Sequence, residues 1–291
     1  MNQYTSVADL ARRAEKGNTP ISRVVLRDQA AALDMTEEKI LARMKKSLDV
    51  MRSAAANGKK KELRSTSGLT GGDGYRMKRY AASGKALGGD FCAKALATAI
   101  AVAEYNAAMG KIVAAPTAGS CGILPAAVLT MMEERGVDKH AAVMGIVTAG
   151  AIGMVIAHEA SIAGAEGGCQ AECGSAAAMA AGALVEMSGG TPDMVANACA
   201  IAIKNQLGLV CDPVAGLVEV PCIKRNAGGI MCAITAADMA LAGIRSVIPV
   251  DEVIAAMREI GETMPCSLRE TAQGGLATTP TGLAIKTKIF R

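Results

Sequence analysis

Aromatic side chains are nearly absent from this 291-residue chain, which has no Trp, two Phe and four Tyr. Single-stranded nucleic acid is held by stacking bases on aromatic faces, and sandwich cores are rich in aromatic and β-branched residues. Neither has its raw material here. Charge supports the first exclusion: 31 basic against 27 acidic residues leave +4, too mild for a polyanion-binding footprint. Histidine is scarce as well. His140 follows Asp138-Lys139 at an expected helix start, and His158 ends a long apolar helix, where a positive ring suits the helix dipole. Both are read as structural, so the chain lacks the customary proton-transfer residue.

Several motifs are missing too. No G-x-x-x-x-G-K-[ST] phosphate loop occurs, and "GGDGYRMKRY" has no strand before it to make a dinucleotide fingerprint. No close C-x₂-C pair suggests a zinc claw. The N-terminal "MNQYTSVADLARRAEKGNTP" reads as a short polar helix without the apolar run of a secretory signal. The longest apolar run, residues 141–157, is at the lower edge for a membrane span and is rich in Ala and Gly. It is expected to be a buried helix, with no membrane partner and a cytoplasmic location.

What is present is a small-residue, aliphatic composition, 51% hydrophobic with 32 Gly, which favours close helix-on-helix packing. The fold class expected is all-α: one compact multi-helix bundle over residues 1–291, with residues 1–35 a looser N-terminal segment. Thr36 caps a helix to Asn57-Gly58 with Ile40, Leu41, Met44, Leu48 and Met51 on one stripe. Asp90 caps another, to about Met109. Further helices are expected from Pro125 to near Gly136, over 139–159 and 170–187, from Thr191-Pro192 to Gly208, and over 251–263. Thr235 with Asp238 resembles a capping box. Lys59-Lys60-Lys61 reads as a solvated loop.

Five Gly-rich loops interrupt the helices: 66–74, 83–90, 115–122, 161–170 and 270–282. Backbone that approaches a ligand closely needs glycine, and loops at helix N-termini present free N–H groups to anions. Nine cysteines are an odd number for a disulfide framework. Cys92, Cys199 and Cys232 sit inside helical patterns beside Ala and read as core. Cys169 follows Gly167-Gly168, Cys211 follows the helix closed by Gly208, and Cys222 follows Pro221. These three thiols lie at element ends, where a helix terminus acidifies Cys169. Their spacing suggests a three-cysteine iron–sulfur site with one iron open. Two other chemistries stay in view: a pyridoxal-phosphate lyase using Lys85 of "SGK", and a non-catalytic iron–sulfur redox sensor.

"SGLTGGDG", "AAPTAGSCGILPA", "AGAEGGCQAE", "LGLVCDPVAGLVEVPCIKRNA" and "LRETAQGGLA", in that order, resemble the α subunit of the iron–sulfur-dependent L-serine dehydratases, from about residue 35 to 282. The resemblance implies a [4Fe–4S] cluster held by Cys169, Cys211 and Cys222, with Cys173 a neighbour and Cys266 unassigned. It implies conversion of L-serine to pyruvate and ammonia, an open iron acting as Lewis acid on the β-hydroxyl. It also implies a separate β subunit carrying a Ser-His-Thr motif absent here, which supplies the missing base. Ser67, Thr70, Thr117 and Ser120 are the expected hydroxyl donors to the substrate carboxylate. Single-chain relatives end in a cysteine that can reach the fourth iron; "TPTGLAIKTKIFR" has none.

Overall fold

A computed structural model describes residues 4–290; residues 1–3 and 291 of the single-domain reading lie outside them. Thirteen α-helices and no strand are found among the described residues, as expected for an all-α chain. The helices are α1 (Val7–Lys16), α2 (Ile21–Ala32), α3 (Glu37–Gly58), α4 (Asp73–Ala81), α5 (Gly89–Ala107), α6 (Ile123–Arg135) and α7 (Lys139–Glu159). There follow α8 (Gly164–Gly167), a π turn at Gln170–Gly174, α9 (Ser175–Met187), α10 (Pro192–Lys204), α11 (Cys222–Leu241), α12 (Val250–Thr263) and α13 (Pro280–Ile289).

The core is built around α9, buried at every position from Ser175 to Val185. Helices α6, α7, α10 and α11 surround it, and α5 lies beyond, between α11 and the outer pair α3 and α4. Ala and Gly allow these short separations. A Cβ on Gly58 of α3 would collide with the backbone carbonyl of Ala101 on α5. The apolar α7 is long enough to cross a membrane, yet 72% of its apolar window is buried inside the protein, against α9, α2, α6 and α3.

Three expectations change. Residues 7–32, expected to be looser, form α1 and α2 with Val7, Leu10, Ile21 and Leu26 essentially inaccessible. Asp251 of α12 fastens them by accepting from Ser6 Oγ at 2.6 Å and Val7 N at 2.8 Å. Thr235 and Asp238 are interior residues of α11, which starts thirteen positions earlier at Cys222. Asp90 lies in the first turn of α5, whose N-cap is Gly88. The unforeseen α4 begins after Gly72 and is capped from a distance: buried Glu104 of α5 accepts from Asp73 N and Gly74 N, both at 2.9 Å.

Glu186 at the end of α9 is a second carboxylate inside the bundle. It accepts from Thr148 Oγ1 at 2.8 Å and Ser22 N at 3.3 Å. Burial pushes its pKa above the ordinary carboxylate value. The folded state therefore binds this proton more tightly than the unfolded one. Its stabilisation is complete below the unfolded pKa and is lost as pH rises through the folded pKa. Glu186→Gln is thus expected to raise the melting midpoint at pH 8 and leave it nearly unchanged at pH 4, which thermal unfolding at the two pH values measures.

Candidate active site

The loop before α6 is tied to the start of α11 through Asn226, in the first turns of α11. Its Nδ2 donates to Gly119 O at 2.7 Å and Cys222 O at 2.9 Å, and its Oδ1 accepts from Gly122 N at 2.8 Å. Gln170 ties the π turn to its surroundings, donating to Met257 O and accepting from Gly208 N. Cys211 joins the 270–282 loop in the one isolated β-bridge among the described residues: its N–H donates to Leu268 O and its carbonyl accepts from Glu270 N, both at 2.8 Å.

Cys169, Cys211 and Cys222 are 3%, 3% and 9% exposed, so none has solvent as a ready substitute ligand. They come from three separate elements, yet a charge on Cys169 raises the pKa of both other thiols. Burial is the larger cause, carrying Cys222 to about 12 and Cys211 higher still. Cys169 behaves oppositely. It shares a 3.4 Å hydrogen bond with Cys173, and that bond, helped by the Arg225 guanidinium, lowers its pKa. The acidification expected from a helix terminus thus comes from a neighbouring thiol and a buried cation. Arg225 is held by donating to Val210 O at 2.7 Å and to Asp212 Oδ1 at 2.8 Å. Asp212 also accepts from Leu276 N at 2.8 Å.

The expected hydroxyl donors fall into two pairs, each already facing a carboxylate. Ser67 Oγ donates to Glu219 Oε1 at 2.7 Å, and Thr70 Oγ1 to Glu219 Oε2 at 2.6 Å. Thr117 Oγ1 donates to Glu172 Oε1 at 2.7 Å and lies 3.2 Å from Ser120 Oγ. Backbone donors of the first loop are spent locally: Gly68 N on Ser65 O, Leu69 N on Ser67 Oγ and Thr70 N on Ser65 Oγ. Sequence reasoning assigned no role to Glu172, Glu219, Arg225 or Asn226. Glu219 stood in view between the two cysteines, and its partners lie about 150 positions away.

Glu172, whose pKa burial raises above the ordinary value, directs its other oxygen toward Cys211 Sγ at 3.9 Å. Gly164 closes this space without filling it. A Cβ there would stand 2.8 Å from Glu172 Oε2, 3.1 Å from Cys211 Sγ and 3.1 Å from Glu270 Oε2. Cys173 is fully buried beside Cys169, as a neighbour should be. Cys199 lies in the core, Cys92 and Cys232 are half-buried, and Cys266 is exposed. Lys85 is exposed on the 83–89 loop.

Among the described residues, no three Cys, His, Asp or Glu side chains converge as tightly as a single metal ion requires. An iron–sulfur cluster makes a different demand, presenting separate irons to separate thiolates. Three buried thiols from three elements, beside a cation and a glycine that keeps the space open, fit that demand in donor chemistry. Soft donors of this kind do not suit a hard cation.

The class defined so far is an all-helical chain with three buried thiols, Cys169, Cys211 and Cys222, at the ends of separate elements. The chain belongs to the serine dehydratase alpha chain family, whose model matches residues 16–277. It is 50% identical to the probable L-serine dehydratase, alpha chain, of Bacillus subtilis, over 99% of this chain and 95% of that one. It is 49% identical to the L-serine dehydratase, alpha chain, of Peptoniphilus asaccharolyticus, over 90% of each. The L-serine dehydratase of Streptomyces coelicolor is longer: 42% identity covers 92% of this chain and 59% of that protein.

Proposed function

We propose that this chain is the α subunit of an L-serine dehydratase, a cytoplasmic lyase that converts L-serine to pyruvate and ammonia. The observation that supports the reading is that Cys169, Cys211 and Cys222 are all buried, at the ends of three elements of a chain of this family. These residues would hold a [4Fe–4S] cluster. When bound, the cluster supplies a Lewis-acidic iron without a protein ligand for the departing β-hydroxyl. Serine gives up its α-proton and its hydroxide to leave aminoacrylate, and water hydrolyses this to pyruvate and ammonia.

The chain's own residues do the rest of what is available here. Arg225 offsets the negative charge that deprotonated thiols bring into a buried site. Burial holds the pKa of Glu172 above the ordinary carboxylate value, beside the space that Gly164 leaves open. Thr117 and Ser120 orient that carboxyl and border the substrate, and Ser67 and Thr70 do the same at Glu219. No histidine is at hand, since His140 and His158 are both exposed. The base that takes the α-proton is assigned to a β subunit.

The anaerobic absorption spectrum of the purified chain tests the cofactor. A broad visible shoulder that bleaches in air, with about four irons per chain, is expected. A sharp Schiff-base band, or a chain without iron, contradicts the reading.

A further inference from the structure

Glu219 is a carboxylate that the fold buries and orients but does not neutralise. It is 6% exposed, and each of its oxygens accepts one hydroxyl, from Ser67 and from Thr70. Among the described residues, no Lys or Arg side chain lies within ion-pair distance of it, whereas the equally buried Asp212 has Arg225. Glu104 and Glu172, also buried without a salt bridge among the described residues, are met by two backbone N–H groups and by Thr117 with Cys211, respectively. Glu219 instead forms part of the wall of a cavity of about 800 Å³, bounded also by Ser67, Leu69, Asn106, Leu217 and Ile289. Lys288 borders the same cavity beyond ion-pair reach of Glu219.

The geometry points to Glu219 as the site for the ammonium group of the substrate. Its two hydroxyl partners then act as positioning residues, fixing both oxygens so that the carboxylate meets a cation entering from the cavity. This reverses the polarity expected of the Ser67–Thr70 loop. The hydroxyls and the N–H groups of residues 68–70 are already committed, and what the loop offers a ligand is negative charge. The placement also suits the chemistry. Glu219 lies three positions before Cys222, whose helix it helps start by accepting Ile223 N at its carbonyl, 3.0 Å away. The backbone of Glu219 is thereby tied to the first turn of the helix that carries Cys222. The inference rests on the serine reading for the identity of the ligand.

The test compares wild type with Glu219→Gln, in the holoenzyme completed by its β chain and kept anaerobic. L-Serine and L-glycerate are the probes; they differ only in that a hydroxyl replaces the ammonium. Calorimetric binding and KM are expected to show L-serine weakened about 30-fold or more in the variant. L-Glycerate affinity and iron content are expected to stay within about threefold of wild type. Equal weakening of both probes, loss of iron, or unchanged L-serine binding would each overturn the assignment. Absence of pyruvate from the wild-type holoenzyme is a separate result. It removes the serine reading, while the two binding curves still decide whether Glu219 selects a cation.

Discussion

Cys211→Ala or Cys222→Ala is expected to lower serine turnover by about a thousandfold or more, and to leave the purified chain with little iron. Each thiol is one of the three proposed donors, and the Lewis acid they would hold is asked to supply several kcal/mol of barrier lowering. Burial makes the loss hard to repair, because water cannot easily take the vacant position. Cys169→Ala is expected to be milder in iron content. Cys173 Sγ lies only 3.4 Å from Cys169 Sγ and can turn toward the place the lost thiol occupied. Iron and sulfide analysis of the three variants, made anaerobically, reads this order directly. Iron content at the wild-type level in Cys211→Ala or Cys222→Ala contradicts the assignment of these residues as ligands.

Arg225→Met is expected to cost about 3–5 kcal/mol of stability, the range for removing one partner of a buried ion pair. The pair is well enclosed, with the Arg225 and Asp212 side chains 17% and 5% exposed and 2.8 Å apart. The cost arises mainly from Asp212, left charged and buried. Adding Asp212→Asn removes that charge while preserving an acceptor for Leu276 N, so the double variant is expected to recover much of the loss. Urea unfolding of the single and double variants measures the coupling. The Cys169 thiol provides a second readout, since Arg225 helps lower its pKa. Thiol alkylation of the iron-free chain at fixed pH is expected to slow at Cys169 in Arg225→Met. A double variant no more stable than Arg225→Met would show that the ion pair is not the source of the effect.

These two predictions concern different layers of the site, and the layers were unequally legible in the sequence. Cys169, Cys211 and Cys222 stood out because each borders Gly or Pro at the end of a helical pattern. Arg225 and Asn226 did not, because they occupy ordinary helical positions and their partners are far away in the chain. The same distinction runs through the fold. The starts of α3, α7 and α10 are written locally in Thr36, Asp138 and Thr191, each of which accepts a backbone N–H three residues on. The start of α4 is written in Glu104, 31 positions beyond Asp73, so no local pattern could show it. For α11, Gly228-Gly229 interrupts the pattern and Thr235 with Asp238 imitates a new start. The helix continues because Gly229 is where Ile123 of α6 packs against it, leaving no room for a Cβ.

The hydroxyl donors carry a similar lesson. Ser67, Thr70, Thr117 and Ser120 were selected by Gly-rich context, which signals close backbone approach but not the sign of what approaches. The structure supplies the sign: both pairs face carboxylates, Glu219 and Glu172. Neither glutamate could be recognised as their partner before the loops were brought together.

The most direct test of the account is pyruvate formation from L-serine by this chain, purified anaerobically and assayed with and without its β chain. The account predicts pyruvate and ammonia in equal amounts from the two chains together, and little from either alone. No pyruvate from the combined chains, with iron and sulfide present, would contradict the proposed activity; full turnover by this chain alone would contradict the division of the site between two subunits.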